Sequence, residues 1–156
     1  MFNLFKKKEI QITSPVKGVL QHIETVNDPM FAEKMMGDGI AIKPKEGKFY
    51  AVESGTLSAF FPTMHAYGIT LNSGVEVLVH IGIDTVNANG EGFYADKKQG
   101  QRVEKGDLII TTDLEAMQEK YDMTTMVIIT NAKNKTLYKA SAEQFVTNQD
   151  TILTLK

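Results

Sequence analysis

An all-β fold, an antiparallel sandwich or barrel with one or two short helices, is expected from three features of the sequence. The β-branched runs are short, glycine punctuates them, and helical periodicity is confined to two brief stretches. At 156 residues the chain has the usual size of one domain, and no stretch reads as a linker. Residues 1–10 are expected to be a flexible tail and 11–156 a single domain.

The expected strands cover 18–23, 39–43, 55–60, 65–71, 75–83, 108–112, 126–130 and 151–155. A helix is expected over 113–123, where Leu114, Met117 and Tyr121 share a face and Thr112 with Glu115 makes a capping-box pattern. A shorter one is expected over 29–36, with Pro29 in its first turn and Gly37 ending it. Pro15-Val16-Lys17-Gly18-Val19-Leu20 echoes Val52-Glu53-Ser54-Gly55-Thr56-Leu57, which hints at two related β halves.

Composition excludes several classes of function. Seventeen basic against nineteen acidic residues give a formal charge of −2, without the cationic excess that neutralises nucleic-acid phosphates. The absence of cysteine removes disulfides, thiolate nucleophiles and cysteine metal sites, and fits a cytoplasmic protein. The apolar run 75–83 is interrupted by Glu76 and His80 and is far shorter than the roughly 20 residues of a spanning helix. At the N-terminus, Phe2, Leu4 and Phe5 beside Lys6, Lys7 and Lys8 allow a weak membrane contact at most.

The chemistry-bearing residues cluster around one hairpin. In 75–84 the odd positions are all Val or Ile and face the core, so His80 takes the more open face, with Gly82 leaving the imidazole unobstructed. Asp84, on that same face, is expected about 13 Å from His80, a distance suited to partner docking rather than proton transfer. Asn72-Ser73-Gly74 has the character of a hairpin loop. A tip at Asn72-Ser73, or a four-residue loop centred there, sets His65 opposite His80, and Ala66, Gly68 and Thr70 opposite Val79, Val77 and Val75 on the core face; a three-residue loop breaks that match. Opposed side chains sit about 4.5–5.5 Å apart at Cβ, so two imidazoles can converge on one small group. One could act as an unprotonated nucleophile toward phosphorus while the other donates a hydrogen bond to the incoming oxygens. On pattern alone, each histidine still reads more readily as a packing residue than as a catalyst. His22 reads only as packing.

Four segments, Gly37-Asp38-Gly39-Ile40-Ala41-Ile42, Phe61-Pro62-Thr63-Met64-His65-Ala66, Val79-His80-Ile81-Gly82-Ile83-Asp84-Thr85-Val86 and Gly90-Glu91-Gly92-Phe93, closely resemble the glucose-type IIA family of the bacterial sugar phosphotransferase system. The resemblance continues through Gly100-Gln101-Arg102-Val103-Glu104-Lys105-Gly106-Asp107 and Asp113-Leu114. It implies a compact β-sandwich in which His80 is the phosphoacceptor at Nε2 and His65 the second active-site histidine. It further implies that the Thr63 hydroxyl orients His65 and that the Gly82 carbonyl sets the His80 tautomer. Asp28 and Asp84 match acidic residues that meet basic partners, within a docking rim of Met30, Phe31, Met35, Met36, Phe61 and Leu78.

By the same resemblance the donor is phospho-HPr and the acceptor a cysteine of a IIB domain, expected here on a separate polypeptide. No cofactor is required; two histidines are too few for a metal site on their own, but His65 and His80 with a partner's carboxylate and water could complete a tetrahedral zinc site, an occasional ion at a partner interface. The family turn Ala-Pro-x-x-Gly is replaced by Ala51-Val52-Glu53-Ser54-Gly55, and Met30, Met35 and Met36 stand where the family often has branched aliphatics beside Phe31, with plain core packing for some of these residues as open a reading as docking. A lipoyl or biotin carrier would need a modifiable hairpin lysine, and a related zinc peptidase a His-x-His pair; neither is present. A regulatory binding module of the same fold is the alternative.

Overall fold

The computed structural model describes residues 8–156; Phe2, Leu4, Phe5 and the expected membrane contact lie outside the described residues. Every strand pairing is antiparallel. The first strand, β1 (Ile10–Thr13), begins on the last residue of the expected tail and pairs with β14 (Thr151–Leu155), which also pairs with β12 (Leu137–Lys139). A second three-stranded sheet joins β4 (Lys48–Tyr50), β10 (Leu108–Thr112) and β8 (Phe93–Tyr94).

The large sheet has the order β13-β2-β3-β11-β7-β6-β5-β9. Its central strands are β3 (Asp38–Pro44), β11 (Thr125–Asn131), β7 (Glu76–Ile81) and β6 (Ala66–Leu71). Flanking them are β2 (Gly18–Gln21) and β5 (Gly55–Phe60), and the edges are β13 (Phe145–Val146) and β9 (Arg102–Val103). The main core packs on the Val75, Val77, Val79 and Ile81 side of β7, as the alternation requires. The opposite side of the sheet carries a smaller apolar cluster of Ala41, Ala66, Leu78, Met126 and Ile128, roofed by Ile23, Val26 and Phe31.

The faint repeat is far more extensive in three dimensions. Gly18 and Gly55 each open a strand, and a Cβ on either would overlap a neighbouring carbonyl, of Lys43 or of Thr70. Leu20 N–H donates to Gln144 and Leu57 N–H to Gln101. Thr147 and Glu104 amides each reach a carboxylate three residues on, Asp150 and Asp107. The two halves meet at the β7–β11 pair, where the smaller cluster and His80 lie.

Three expectations are corrected. The hairpin closes through three residues, with Leu71 N–H donating to Val75 and Gly74 N–H to Leu71, so Ala66 rather than His65 pairs with His80. Tyr67, Ile69 and Leu71 therefore take the main core, and Ala66 faces the smaller cluster. Both helices are shorter than expected: α1 spans Pro29–Ala32 and α2 spans Leu114–Gln118. The cap of α2 is Asp113, whose side chain accepts from Ala116 N–H, while Thr112 ends β10. No helix among the described residues is long and apolar enough to cross a membrane.

Candidate functional site

His80 sits near the end of β7, between Ala66 on β6 and Met126 on β11. Its imidazole is half-buried. Beyond Ile81 the chain leaves the strand direction because Gly82 is left-handed at φ 82°. A Cβ at Gly82 would overlap Thr85 Cγ2 and lie 3.1 Å from Met123 Sδ, so only glycine fits. Its role is thus to permit a turn against Thr85 and Met123, rather than to clear space around the imidazole. That turn brings the Gly82 carbonyl back to Nδ1 of His80 at 2.9 Å. A carbonyl only accepts, so Nδ1 carries the proton, and in the neutral ring Nε2 holds a free lone pair.

His65 reaches the same place by a different route from the one expected. It lies just outside β6, after Met64 in a left-handed conformation at φ 58°. Its carbonyl accepts from Ile81 N–H at 2.7 Å. Its ring meets His80 edge-on, with centroids 5.0 Å apart at 79°. Thr63 Oγ1 lies 2.5 Å from Nδ1 of His65 and holds the ring in place. Register and convergence are therefore separate matters: the ladder is displaced by one residue, yet the turn over 61–65 restores the pair.

The surroundings keep both rings neutral. Burial is the main cause that lowers the His80 pKa from 6.5 to about 4, and the neighbouring His65 lowers it further; the Gly82 carbonyl and Asp28 act the other way. Burial also lowers that of His65. Asp28 caps α1 by accepting from Met30 N–H at 3.0 Å, with Pro29 in the first turn. That helix lays the Phe31 ring 4.9 Å from His80, while the Phe61 ring stands 5.3 Å from His65.

The expected rim divides in two. Met30, Met35, Met36 and Phe61 are exposed, with Met35 the most open at 72%. Phe31 and Leu78 are buried, because the smaller apolar cluster takes both; neither is an open docking residue. Asp84 is exposed, but it begins the short 3-10 turn Thr85–Ala88 at φ 59° instead of continuing along the β7 face, so the straight-strand spacing from His80 does not apply. His22 is exposed at the end of β2 and is not the packing residue expected. Among the described residues no group of three or more His, Cys, Asp or Glu gathers around a potential metal position, so this face supplies two imidazoles at most.

Some supporting residues carried no signal in the sequence. Thr85 is fully buried, its hydroxyl donates to the Ile81 carbonyl at 2.5 Å, and it walls the Gly82 turn. The amides of Gly82 and Ile83 donate to Thr124 and Asp122. These contacts join segments some forty residues apart on the chain, beyond the reach of local pattern.

A family model described as phosphoenolpyruvate-dependent sugar phosphotransferase system, EIIA 1, matches residues 10–135. The chain belongs to this family. It is 42% identical over 151 residues to a PTS system glucose-specific EIIA component of Halalkalibacterium halodurans, covering 96% of this chain and 87% of that protein. It is equally similar, over 154 residues and 96% of the relative, to the component of that name from Buchnera aphidicola. A segment making up 18% of a Streptococcus pneumoniae PTS system glucose-specific EIICBA component is 44% identical over 128 residues. The solved glucose permease IIA from Mycoplasma capricolum superposes with a TM-score of 0.91 at 39% identity, covering all of both chains. This EIIA chain is a component of the sugar phosphotransferase system with a phosphocarrier role, and its all-β fold is that of the permease IIA.

Proposed function

We propose that this EIIA protein accepts a phosphoryl group from phospho-HPr on Nε2 of His80 and donates it to a cysteine of a IIB domain. One observation carries the reading. The Nδ1–H of His80 is committed to the Gly82 carbonyl, which leaves the Nε2 lone pair beside a second imidazole 5.0 Å away.

In the acceptance step that lone pair attacks phosphorus; the new N–P bond forms as the bond between phosphorus and its carrier atom on HPr breaks, and that bond's electron pair stays with the HPr atom. His80 needs no deprotonation, since its low pKa keeps it neutral at physiological pH. A Thr63 hydroxyl that donates to Nδ1 of His65 puts the His65 proton on Nε2, where it can hydrogen-bond a phosphoryl oxygen. In donation, a thiolate attacks phosphorus and the electron pair of the N–P bond returns to His80. Positioning and charge stabilisation are what phosphoryl transfer asks of a protein, and two oriented imidazoles supply both.

The exposed Met30, Met35, Met36 and Phe61 suit docking of more than one partner, because thioethers adapt to different shapes. Asp28 and Asp84 add acidic charge for basic partners, and the protein acts in the cytoplasm. Phosphotransfer uses no metal; an interfacial zinc would take His65 and His80 as ligands and require a partner carboxylate to complete its shell.

The test is to mix the protein with phosphoenolpyruvate, enzyme I and HPr. One acid-labile phosphoryl group per chain is expected, absent from His80→Ala; His65→Gln should accept it but pass it on to IIB poorly. No label on the parent would overturn the carrier reading and favour a regulatory binding module.

A further inference from the structure

We propose that Asp122, an exposed residue in the loop before β11, is a positioning residue for phosphoryl acceptance at His80. The inference rests on the carrier reading of the site and adds a residue to it. Its basis is the single peptide unit between Gly82 and Ile83, which is held at both ends. The carbonyl accepts from His80 Nδ1–H at 2.9 Å, and the N–H donates to the Asp122 carbonyl at 2.7 Å. One amide away, Gly82 N–H donates to the Thr124 carbonyl at 3.1 Å. The segment 122–124 is thus the bed on which the left-handed Gly82 turn rests.

That bed is shaped by the Asp122 side chain. Its Oδ1 accepts from Thr124 N–H at 3.0 Å and from the Thr124 hydroxyl at 2.7 Å, folding 122–124 so that both carbonyls point toward residues 82 and 83. Without those two bonds the loop gains freedom, and the Gly82–Ile83 peptide loses the partner that fixes its rotation. Donation from Ile83 N–H also polarises the Gly82 carbonyl, since chained hydrogen bonds strengthen one another. The line therefore runs from Asp122 Oδ1 through the loop and one peptide to Nδ1 of His80, and decides which imidazole nitrogen stays free.

The experiment combines 15N-histidine NMR of the full chain at neutral pH with the initial rate of label uptake from phospho-HPr. Asp122→Ala is expected to raise the Nε2–H tautomer of His80 and to slow uptake about three- to tenfold. Asp122→Asn keeps an oxygen at the same place and should behave as the parent. An Asp122→Ala protein with the parental tautomer, whatever its stability, overturns the proposal, and so does a shifted tautomer with an unchanged rate. Should that variant not fold, Thr124→Val removes the hydroxyl donor alone; a shifted tautomer there supports the proposal, and a parental one overturns it. If the parent takes up no phosphoryl group, the carrier reading fails, while the tautomer still decides whether Asp122 positions the ring.

Discussion

Replacing Gly82 with alanine puts the turn that orients His80 under direct stress. A non-glycine residue in the left-handed region, here φ 82°, costs about 1–2 kcal/mol. The new methyl also overlaps Thr85 Cγ2, and Thr85 has little room to yield, being fully buried with its hydroxyl on the Ile81 carbonyl. Overpacking of that kind costs about 1–3 kcal/mol. Urea denaturation of Gly82→Ala should therefore show a loss of about 2–5 kcal/mol, a large share of a domain's stability. Because relief of the overlap moves the peptide that bears the Gly82 carbonyl, the His80 Nδ1–H signature should weaken in the same protein. A loss under about 0.5 kcal/mol, with the His80 tautomer unchanged, would refute the reasoning on both counts.

Two further outcomes follow from the electrostatics. His80 should titrate near 4 rather than 6.5, because burial foremost and His65 second oppose its charge. The unfolded chain then takes up the proton first on acidification, so stability is lost from about pH 6.5 down to the folded value, by up to about 3 kcal/mol. Imidazole NMR titration with urea midpoints at pH 7 and 5 checks this, and a His80 midpoint above 6 contradicts it. Asp28→Ala should cost about 1 kcal/mol by uncapping α1, and should lower the His80 titration further by removing a charge that favours imidazolium. An unchanged His80 titration would count against Asp28 acting on the ring, and an unchanged urea midpoint against its cap.

The alternation of Val and Ile over 75–83 was enough to put His80 on the correct face of β7, because a strand buried on one side has a period of two. The hairpin register was not legible. Asn72-Ser73-Gly74 suits a two- or three-residue closure equally well, and the structure chose three. His65 and His80 nonetheless converge, since the 61–65 turn lies outside the ladder and sets its own direction. Strands as brief as β8, β9 and β13 have two residues each and no periodicity to read; they exist through pairing with distant segments. Phe31 and Leu78 looked like docking residues because nothing local announces a second apolar cluster above the sheet. The repeat surfaced at one pair of segments only, since equivalent backbone bonds, as at Leu20 and Leu57, constrain side chains weakly.

The position of the phosphoryl group on the labelled protein tests the central geometry most directly. In 15N-histidine protein phosphorylated through HPr, phosphorus coupling should appear at Nε2 of His80, with Nδ1 still protonated toward Gly82. Coupling at Nδ1 of His80, or at either nitrogen of His65, would contradict it.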